Sequence, residues 1–463
     1  MSSFKNKKVL IFGLGLNDGG LGMAEFFLNA GAIVTITDCK TEEQLAKTLD
    51  KLKQYKNIVY HLGGHIKEDF IENDIIIRNP AIKRDNEWLE IARKNGKIIE
   101  MEMSLFHKLA KCPIIGVTGT RGKSTTTTLA YEFLKEELGD KVFLGGNIGR
   151  SAIREVNSLT AGNLAILELS SFQLDAMGES KVSPHVALVT NMYPDHLNWH
   201  VDMNDYIETK KNIFRNQKGI DFAIINVDNE ITKEFAKEIK SNLITFSLKN
   251  SSANYYYDNE KNIIENGKIL LNIKDSLLEG EHNEYNILGA VAIARVYGIK
   301  AKSMLRVLKR FIGVAGRQEL VTEVDGVKFY NDTTATSLEA VIAALNRFGT
   351  RYKGKIVMIS GGMDKGLDYV KVRPLMEKYL KALILLKGTA SEKIYDVLKD
   401  SSVRIEKYFG VFKDAILKAK ELATVGDMVI LCPGAASFNM FANEFDRGEQ
   451  FNEVVTKLKH KTY

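Results

Sequence analysis

Val117-Thr118-Gly119-Thr120-Arg121-Gly122-Lys123-Ser124-Thr125-Thr126-Thr127 follows the apolar run Ile114-Ile115-Gly116-Val117 and leads into a stretch of helical composition. Glycines at 119 and 122 let the backbone curl so that its N–H groups face phosphate oxygens, and the start of a helix adds partial positive charge. In such a loop Lys123 reaches the outer phosphates and Ser124 offers its hydroxyl to Mg²⁺. The longer form of the motif needs glycine at position 117, which is valine here, so the match is to a shorter Thr-Gly-Thr-x-Gly-Lys-Ser-Thr form. A plain glycine turn with a capping serine is the alternative, but strand, loop and helix in succession favour nucleotide binding. Kinases, hydrolases and ligases share such loops, so this one indicates ATP and leaves the reaction open.

Outward from the loop, short β-branched runs recur with helical stretches between them. They include 8–12, 33–36, 75–77, 164–169, 186–190, 222–226, 355–359, 383–386 and 428–431. Continuous apolar strands alternating with helices predict an α/β chain of mostly parallel sheets covered on both faces. The pattern restarts twice, at Lys111-Cys112-Pro113 and near Gly313, which predicts three domains. Between Asn250 and Leu278 polarity alternates and Asn/Gly turns recur, which reads as hairpins inserted in the second domain.

The 463 residues are 45% hydrophobic and 26% charged, an ordinary balance for a globular chain. Cys39, Cys112 and Cys432 form no CxxC pair, which argues against a disulfide framework and fits a reducing cytoplasm. No apolar run approaches the roughly 20 residues that span a bilayer, and Met1 to Lys8 lacks the apolar core of a signal peptide. The net charge of +6 is spread without an arginine-rich block, so no nucleic-acid partner is expected.

Two later strands end in polar residues: Leu167-Glu168-Leu169-Ser170-Ser171-Phe172-Gln173 and Thr190-Asn191-Met192-Tyr193-Pro194-Asp195-His196. Ligands of doubly wound sheets collect at the carboxyl ends of strands, so Glu168 is a candidate ligand for Mg²⁺ and His196 for a second ion. Tyr206-Ile207-Glu208-Thr209-Lys210-Lys211 alone reads as an exposed basic helix. Near the start, Gly13-Leu14-Gly15-Leu16-Asn17-Asp18-Gly19-Gly20 follows the first strand and Asp38 ends the second. The GxGxxG spacing fails at Asp18. What remains is a diphosphate-sized turn with a carboxylate placed for a ribose or a base.

Taken together these pieces resemble the Mur ligase family over nearly the whole chain and in the right order. Further matching segments are His282-Asn283, Gly316-Arg317, Asn331-Asp332, Ala335-Thr336, Gly361-Gly362-Met363-Asp364-Lys365, and the tail from Ala435-Ala436-Ser437-Phe438 through Asp446-Arg447-Gly448. The Glu-Leu-Ser-Ser-Phe-Gln run and the C-terminal segments favour the glutamate-adding branch. The resemblance implies a Rossmann-like UDP-sugar-binding domain at 1–109, a central ATP-binding domain at 110–313, and a Rossmann-like amino-acid-binding domain at 314–463. It implies an ATP-dependent ligase that adds D-glutamate to UDP-N-acetylmuramoyl-L-alanine through an acyl phosphate, in cytoplasmic peptidoglycan precursor synthesis, as a monomer.

By the same resemblance Lys123, Glu168, His196 and Lys210 are catalytic. Lys210 is carbamylated and joins Ser124, Glu168 and His196 around Mg²⁺, with two ions expected. Gly119, Thr120, Arg121, Gly122, Lys123, Ser124, Thr125, Asn283, Arg317 and Asp332 contact ATP. Leu16, Asn17, Asp38, Asn79 and Asn147 contact the UDP-sugar, and Thr336, Lys365 and Ser437 hold glutamate. The chain departs from the family pattern at Thr334, where lysine is common, at the longer glycine turn, at Asn198-Trp199-His200, and at Asn443-Glu444-Phe445. Alternatives are a Mur-type ligase for another amino acid such as L-glutamate, a non-catalytic nucleotide-binding regulator, and a nicotinamide-dependent oxidoreductase.

Overall fold

A computed structural model describes residues 4–459 except 17, 149, 150, 198, 279, 438, 439 and 442. Asn17, expected at the UDP-sugar, lies outside the described residues, as do Asn198 and Phe438. The chain divides into two compact units, 1–311 and 312–463, and carries three sheets.

The first unit opens with β1 (Lys8–Phe12), β2 (Ile33–Asp38), β3 (Ile58–Leu62), β4 (Ile75–Arg78) and β5 (Ile98–Glu100), ordered β3-β2-β1-β4-β5 and all parallel. Val9 to Phe12 are fully buried, as a central parallel strand with helices on both faces requires. The second sheet holds β6 (Ile114–Thr118), β7 (Val142–Gly146), β8 (Leu164–Glu168), β9 (Val186–Val189), β10 (Phe222–Asn226), β11 (Asn242–Ser247), β12 (Tyr255–Tyr257), β13 (Asn262–Glu265) and β14 (Lys268–Asn272). Its order is β14-β13-β12-β11-β10-β9-β6-β8-β7. The segment expected as inserted hairpins extends this sheet: β12 pairs parallel with β11, and β13 and β14 follow antiparallel.

One apolar core runs under both sheets. Met103, Leu105 and Phe106 of the helix Glu102–Leu109 join Val9 and Ile11 to Ala152, Ile153 and Leu167. That continuity makes residues 1–311 one unit where the sequence shows two sheet patterns. Buried ion pairs add to it: Arg78, with no exposed side-chain surface, bonds Asp175 and donates to the Ile82 carbonyl at 2.9 Å, and Arg84 reaches Asp175 at 3.1 Å.

The second unit has β15 (Glu319–Val324), β16 (Val327–Asn331), β17 (Ile356–Ser360), β18 (Leu380–Leu386), β19 (Arg404–Phe409) and β20 (Met428–Leu431), ordered β15-β16-β20-β17-β18-β19. Only β15 runs antiparallel to its neighbour. Among the described residues no helix is long and apolar enough to cross a membrane.

Candidate functional site

The order of the second sheet reverses at β6, which lies between β9 and β8. A crevice opens beyond the carboxyl end of such a strand, and the loop Gly119–Gly122 fills that position. Gly119 has φ 141°, and a Cβ there would lie 1.9 Å from the Thr190 hydroxyl oxygen. Gly122 has φ 82°, and its Cβ would lie 2.3 Å from Asn286 Oδ1. Conformation and close approach both demand glycine.

Asn191 shapes the loop. Its carbonyl accepts from the Thr120 amide at 2.9 Å, its Oδ1 accepts from the Arg121 amide at 2.9 Å, and its Nδ2 donates to the Arg121 carbonyl at 3.1 Å. The amides of Thr120 and Arg121 therefore hold the loop's curl, a different role from the phosphate contacts expected of them. The helix Lys123–Leu138 starts at Gly122 without a side-chain cap, so the positive end of its dipole lies at the loop, where anions are favoured. Arg121 also pairs with Asp195 at 3.2 Å.

Glu168 ends β8 with 1% exposure. Its carboxylate accepts from the Ser124 hydroxyl and, at 2.9 Å, from Asn147 Nδ2. Asn147, expected at the UDP-sugar, thus also steadies this carboxylate. The motif's next polar residues are structural: Ser170 and Gln173 form a reciprocal capping box that starts the helix Ser171–Glu179.

Lys210 lies on the helix Met203–Arg215, and its Nζ donates to Thr118 Oγ1 at 3.1 Å. It is 2% exposed, so the exposed basic helix read from its own segment is corrected here. The helix turns this lysine inward beneath β6, because Tyr206 and Ile213 of the same helix pack in the core. Burial first, then the charge of Lys123, pushes its pKa well below the usual lysine range; Asp195 and Glu168 work weakly against this. His196 sits at φ 54° with its ring 4.9 Å from that of Phe172. Its Nε2 is 3.7 Å from Asp195, and burial pushes its pKa down.

A hydroxyl and a buried carboxylate meeting at a phosphate loop suit Mg²⁺, which takes one or two protein oxygens and fills its shell from phosphates and water. Among the described residues no group of three or more His, Cys, Asp and Glu is placed to hold a metal ion.

In the first sheet, Asp38 holds the glycine turn. Its carboxylate accepts from the amides of Gly15 and Lys40, each at 2.9 Å. Asn79 Nδ2 donates to the Gly13 carbonyl at 3.1 Å. Both residues shape the turn on which a ligand would rest, and Leu16 stands 57% exposed beside it. Asp18, where the spacing fails, starts the helix Asp18–Asn29 and accepts from the Ser151 amide at 2.8 Å, with Arg154 on the same carboxylate.

In the second unit, Asp332 is buried at the end of β16, accepting from the Gln318 amide at 3.2 Å, and burial raises its pKa to about 7. Arg447, fully buried, donates to the Thr333 carbonyl at 2.7 Å and to its hydroxyl at 3.0 Å, pinning the segment 332–336 that carries Thr336. Thr334, which stands where the resemblance led to the expectation of a lysine, donates to the Gly316 carbonyl at 3.0 Å and closes the turn bearing Arg317. Met363 and Ala436 exchange two backbone bonds of 3.0 Å, which sets the exposed Lys365 and the buried Ser437 on neighbouring loops beyond β17 and β20.

Sequence reasoning missed Asn286, which accepts from Thr126 at 3.2 Å and donates to Asn283 at 3.1 Å. It also missed Tyr206, whose hydroxyl meets Thr120 at 3.2 Å. The Asn283–Asn286 spacing, one helical turn behind His282, was the available signal for the first.

Three family descriptions match in order: the Mur ligase MurD-like N-terminal domain over 7–100, the Mur ligase middle domain over 117–294, and the Mur ligase glutamate ligase domain over 316–435. The UDP-N-acetylmuramoylalanine–D-glutamate ligase of Roseiflexus sp. (strain RS-1) is 38% identical, covering 97% of this chain and 98% of that protein. The protein of the same name from Acetivibrio thermocellus is 37% identical over 98% and 97%. Among solved structures, UDP-N-acetylmuramate-alanine ligase MurC from Thermotoga maritima superposes with a TM-score of 0.65 at 21% identity, covering 97% of this chain and 99% of that one. MurF ligase from the same organism, in complex with ADP, gives 0.61 at 16% identity with complete coverage of both chains. Motifs, sheets and relatives agree over the whole length, and the chain belongs to the Mur ligase family.

Proposed function

We propose that this ATP-dependent, amide-forming ligase joins D-glutamate to the alanyl carboxylate of UDP-N-acetylmuramoyl-L-alanine, in cytoplasmic peptidoglycan precursor synthesis and as a monomer. The observation that carries the chemistry is the meeting of Lys123, the Ser124–Glu168 pair and the buried Lys210 around the carboxyl end of β6. The choice of glutamate rests on the glutamate ligase domain and on the name shared by the relatives.

The substrate carboxylate attacks the γ-phosphorus of ATP, giving an acyl phosphate and ADP. The amine of glutamate then attacks the acyl carbon, and the tetrahedral intermediate collapses to amide and phosphate. Two anions meet in the first step, so cations and N–H dipoles must offset their repulsion. Lys123 and the amides of the first helical turn would supply that, and Asn283, Arg317 and Asp332 are the further residues proposed to contact ATP. Ser124 and Glu168 would hold Mg²⁺, which when bound screens the phosphate charge. His196 and Lys210 are the next candidates for that shell.

Lys210 fits a further role. A neutral amine adds to CO₂, forming an N–C bond and releasing a proton, and the resulting carbamate is an oxygen donor where an ammonium would repel a cation. The depressed pKa keeps the amine ready for that addition. Leu16, Asp38, Asn79 and Asn147 would line the UDP-sugar site, and Thr336, Lys365 and Ser437 would hold the glutamate carboxylates. Phosphate release from ATP and Mg²⁺ with UDP-N-acetylmuramoyl-L-alanine tests the reading. Release should require D-glutamate; release driven by L-glutamate, or by neither amino acid, would overturn it.

A further inference from the structure

Beside the glycine turn lies a second constellation that the ligase reaction does not use. Cys39 follows Asp38 at the end of β2 and is exposed. Its Sγ lies 3.1 Å from Nε2 of His65, and Nδ1 of His65 lies 2.7 Å from Thr37 Oγ1. The Thr37 hydroxyl is also 3.2 Å from the Gly64 carbonyl, which can only accept. One hydroxyl proton satisfies both neighbours in a single way: Thr37 donates to Gly64, and Nδ1–H of His65 donates to Thr37. Nε2 then carries the lone pair, and it faces the thiol. The His65 ring is fixed edge-on against Phe12 and Trp88, at 4.9 and 5.8 Å. Burial depresses the His65 pKa, against weaker opposing pulls from Asp38 and Asp69, so the ring stays a neutral base.

We propose that Cys39 is a base-assisted nucleophilic thiol, a modification site through which low-molecular-weight disulfides and electrophiles block the nucleotide-sugar turn. Nucleophile, base and orienting hydroxyl stand in the order such activation needs. In disulfide exchange, Sγ attacks one sulfur of the small disulfide. The new S–S bond forms as the old one breaks, the thiol proton passes to Nε2 of His65, and the departing thiolate takes it up. The consequence for turnover rests on the assignment of the UDP group to the turn held by Asp38. A group attached at the neighbouring residue would stand over that turn.

The test is the rate of modification by iodoacetamide and by oxidised glutathione at neutral pH, followed by mass spectrometry on the intact chain. Cys112 and Cys432 are 7% and 0% exposed, so folded protein reports on Cys39. Base assistance should make Cys39 react about tenfold or more faster than the same thiol in urea-unfolded chain. His65→Phe keeps the ring packing and removes Nε2, and Thr37→Val keeps the shape and frees the tautomer; each should abolish the acceleration. A folded-state rate no faster than the unfolded one, or one unchanged in both variants, would overturn the proposal. UDP-N-acetylmuramoyl-L-alanine should protect Cys39, and Cys39→Ser should make turnover insensitive to oxidised glutathione. Fast, His65-dependent modification without protection would uphold the thiol's chemistry and refute the placement of the UDP group at Asp38.

Discussion

Replacing Glu168 by glutamine separates what this residue does for the fold from what it does for the reaction. One carboxylate oxygen accepts from Ser124 and the other from Asn147 at 2.9 Å, at 1% exposure. Glutamine has the same shape and keeps both contacts: its Oε1 accepts from Asn147, and its Nε2 donates to the Ser124 hydroxyl, which rotates to receive it. Two charge-assisted bonds become neutral ones, a loss of roughly 1 to 4 kcal/mol in all. Relief from burying a carboxylate offsets several kcal/mol. The melting temperature should therefore stay within roughly 3 °C of wild type. Turnover should behave differently, because the charge proposed to hold Mg²⁺ beside the phosphates is gone. A loss of about 10²- to 10³-fold is expected, as for removal of one preorganised group that stabilises transition-state charge. Phosphate release at several Mg²⁺ concentrations, beside a thermal melt, reads both quantities. Turnover above about a tenth of wild type would refute the role given to Glu168, and a collapsed melt would refute the amide exchange.

Other expectations follow from the same geometry. Lys123→Ala should nearly abolish turnover while the melt is retained, and normal turnover would remove the loop from the reaction. If Lys210 works as a carbamate, turnover should decline in CO₂-free buffer and recover with bicarbonate; indifference to bicarbonate would exclude it. Burial lifts Asp332 to about 7 from 3.8, so the folded chain keeps a proton that the unfolded chain releases. The stability that proton supplies is present below pH 4 and is lost as pH rises through 7. Asp332→Asn should thus gain on wild type in melting temperature from pH 5 to pH 7 and hold a constant lead above; a lead that shrinks with pH would contradict this. Arg78→Met leaves Asp175, among the described residues, with the half-exposed Arg84 as its ion-pair partner, and should destabilise by about 3 to 5 kcal/mol, read from denaturant unfolding.

The central strands were legible because burial on both faces leaves continuous apolar runs: Lys8–Phe12 and Met428–Leu431 fall where the pattern put them. Edge strands were not. β3 and β19 are half-exposed, and the sequence Arg404-Ile405-Glu406-Lys407-Tyr408-Phe409 carries no parallel-strand signature. The phosphate loop announced itself because its glycines answer local demands of backbone conformation. Lys210 did not, since inward rotation of its helix depends on what Tyr206 and Ile213 pack against, far away in sequence. The family resemblance supplied that residue. The partners that steady the site, Asn191, Asn286 and Asn147, make contacts across 21 to 160 residues, which no local pattern records.

The claim that ATP activates a carboxylate by phosphorylating it is tested most directly by oxygen transfer. UDP-N-acetylmuramoyl-L-alanine labelled with ¹⁸O in its alanyl carboxylate would be turned over with unlabelled ATP and D-glutamate, and the released phosphate weighed by mass spectrometry. An acyl phosphate predicts one labelled oxygen in each phosphate, because the attacking carboxylate oxygen leaves bonded to phosphorus. Unlabelled phosphate from a reaction that still forms the amide would contradict the mechanism.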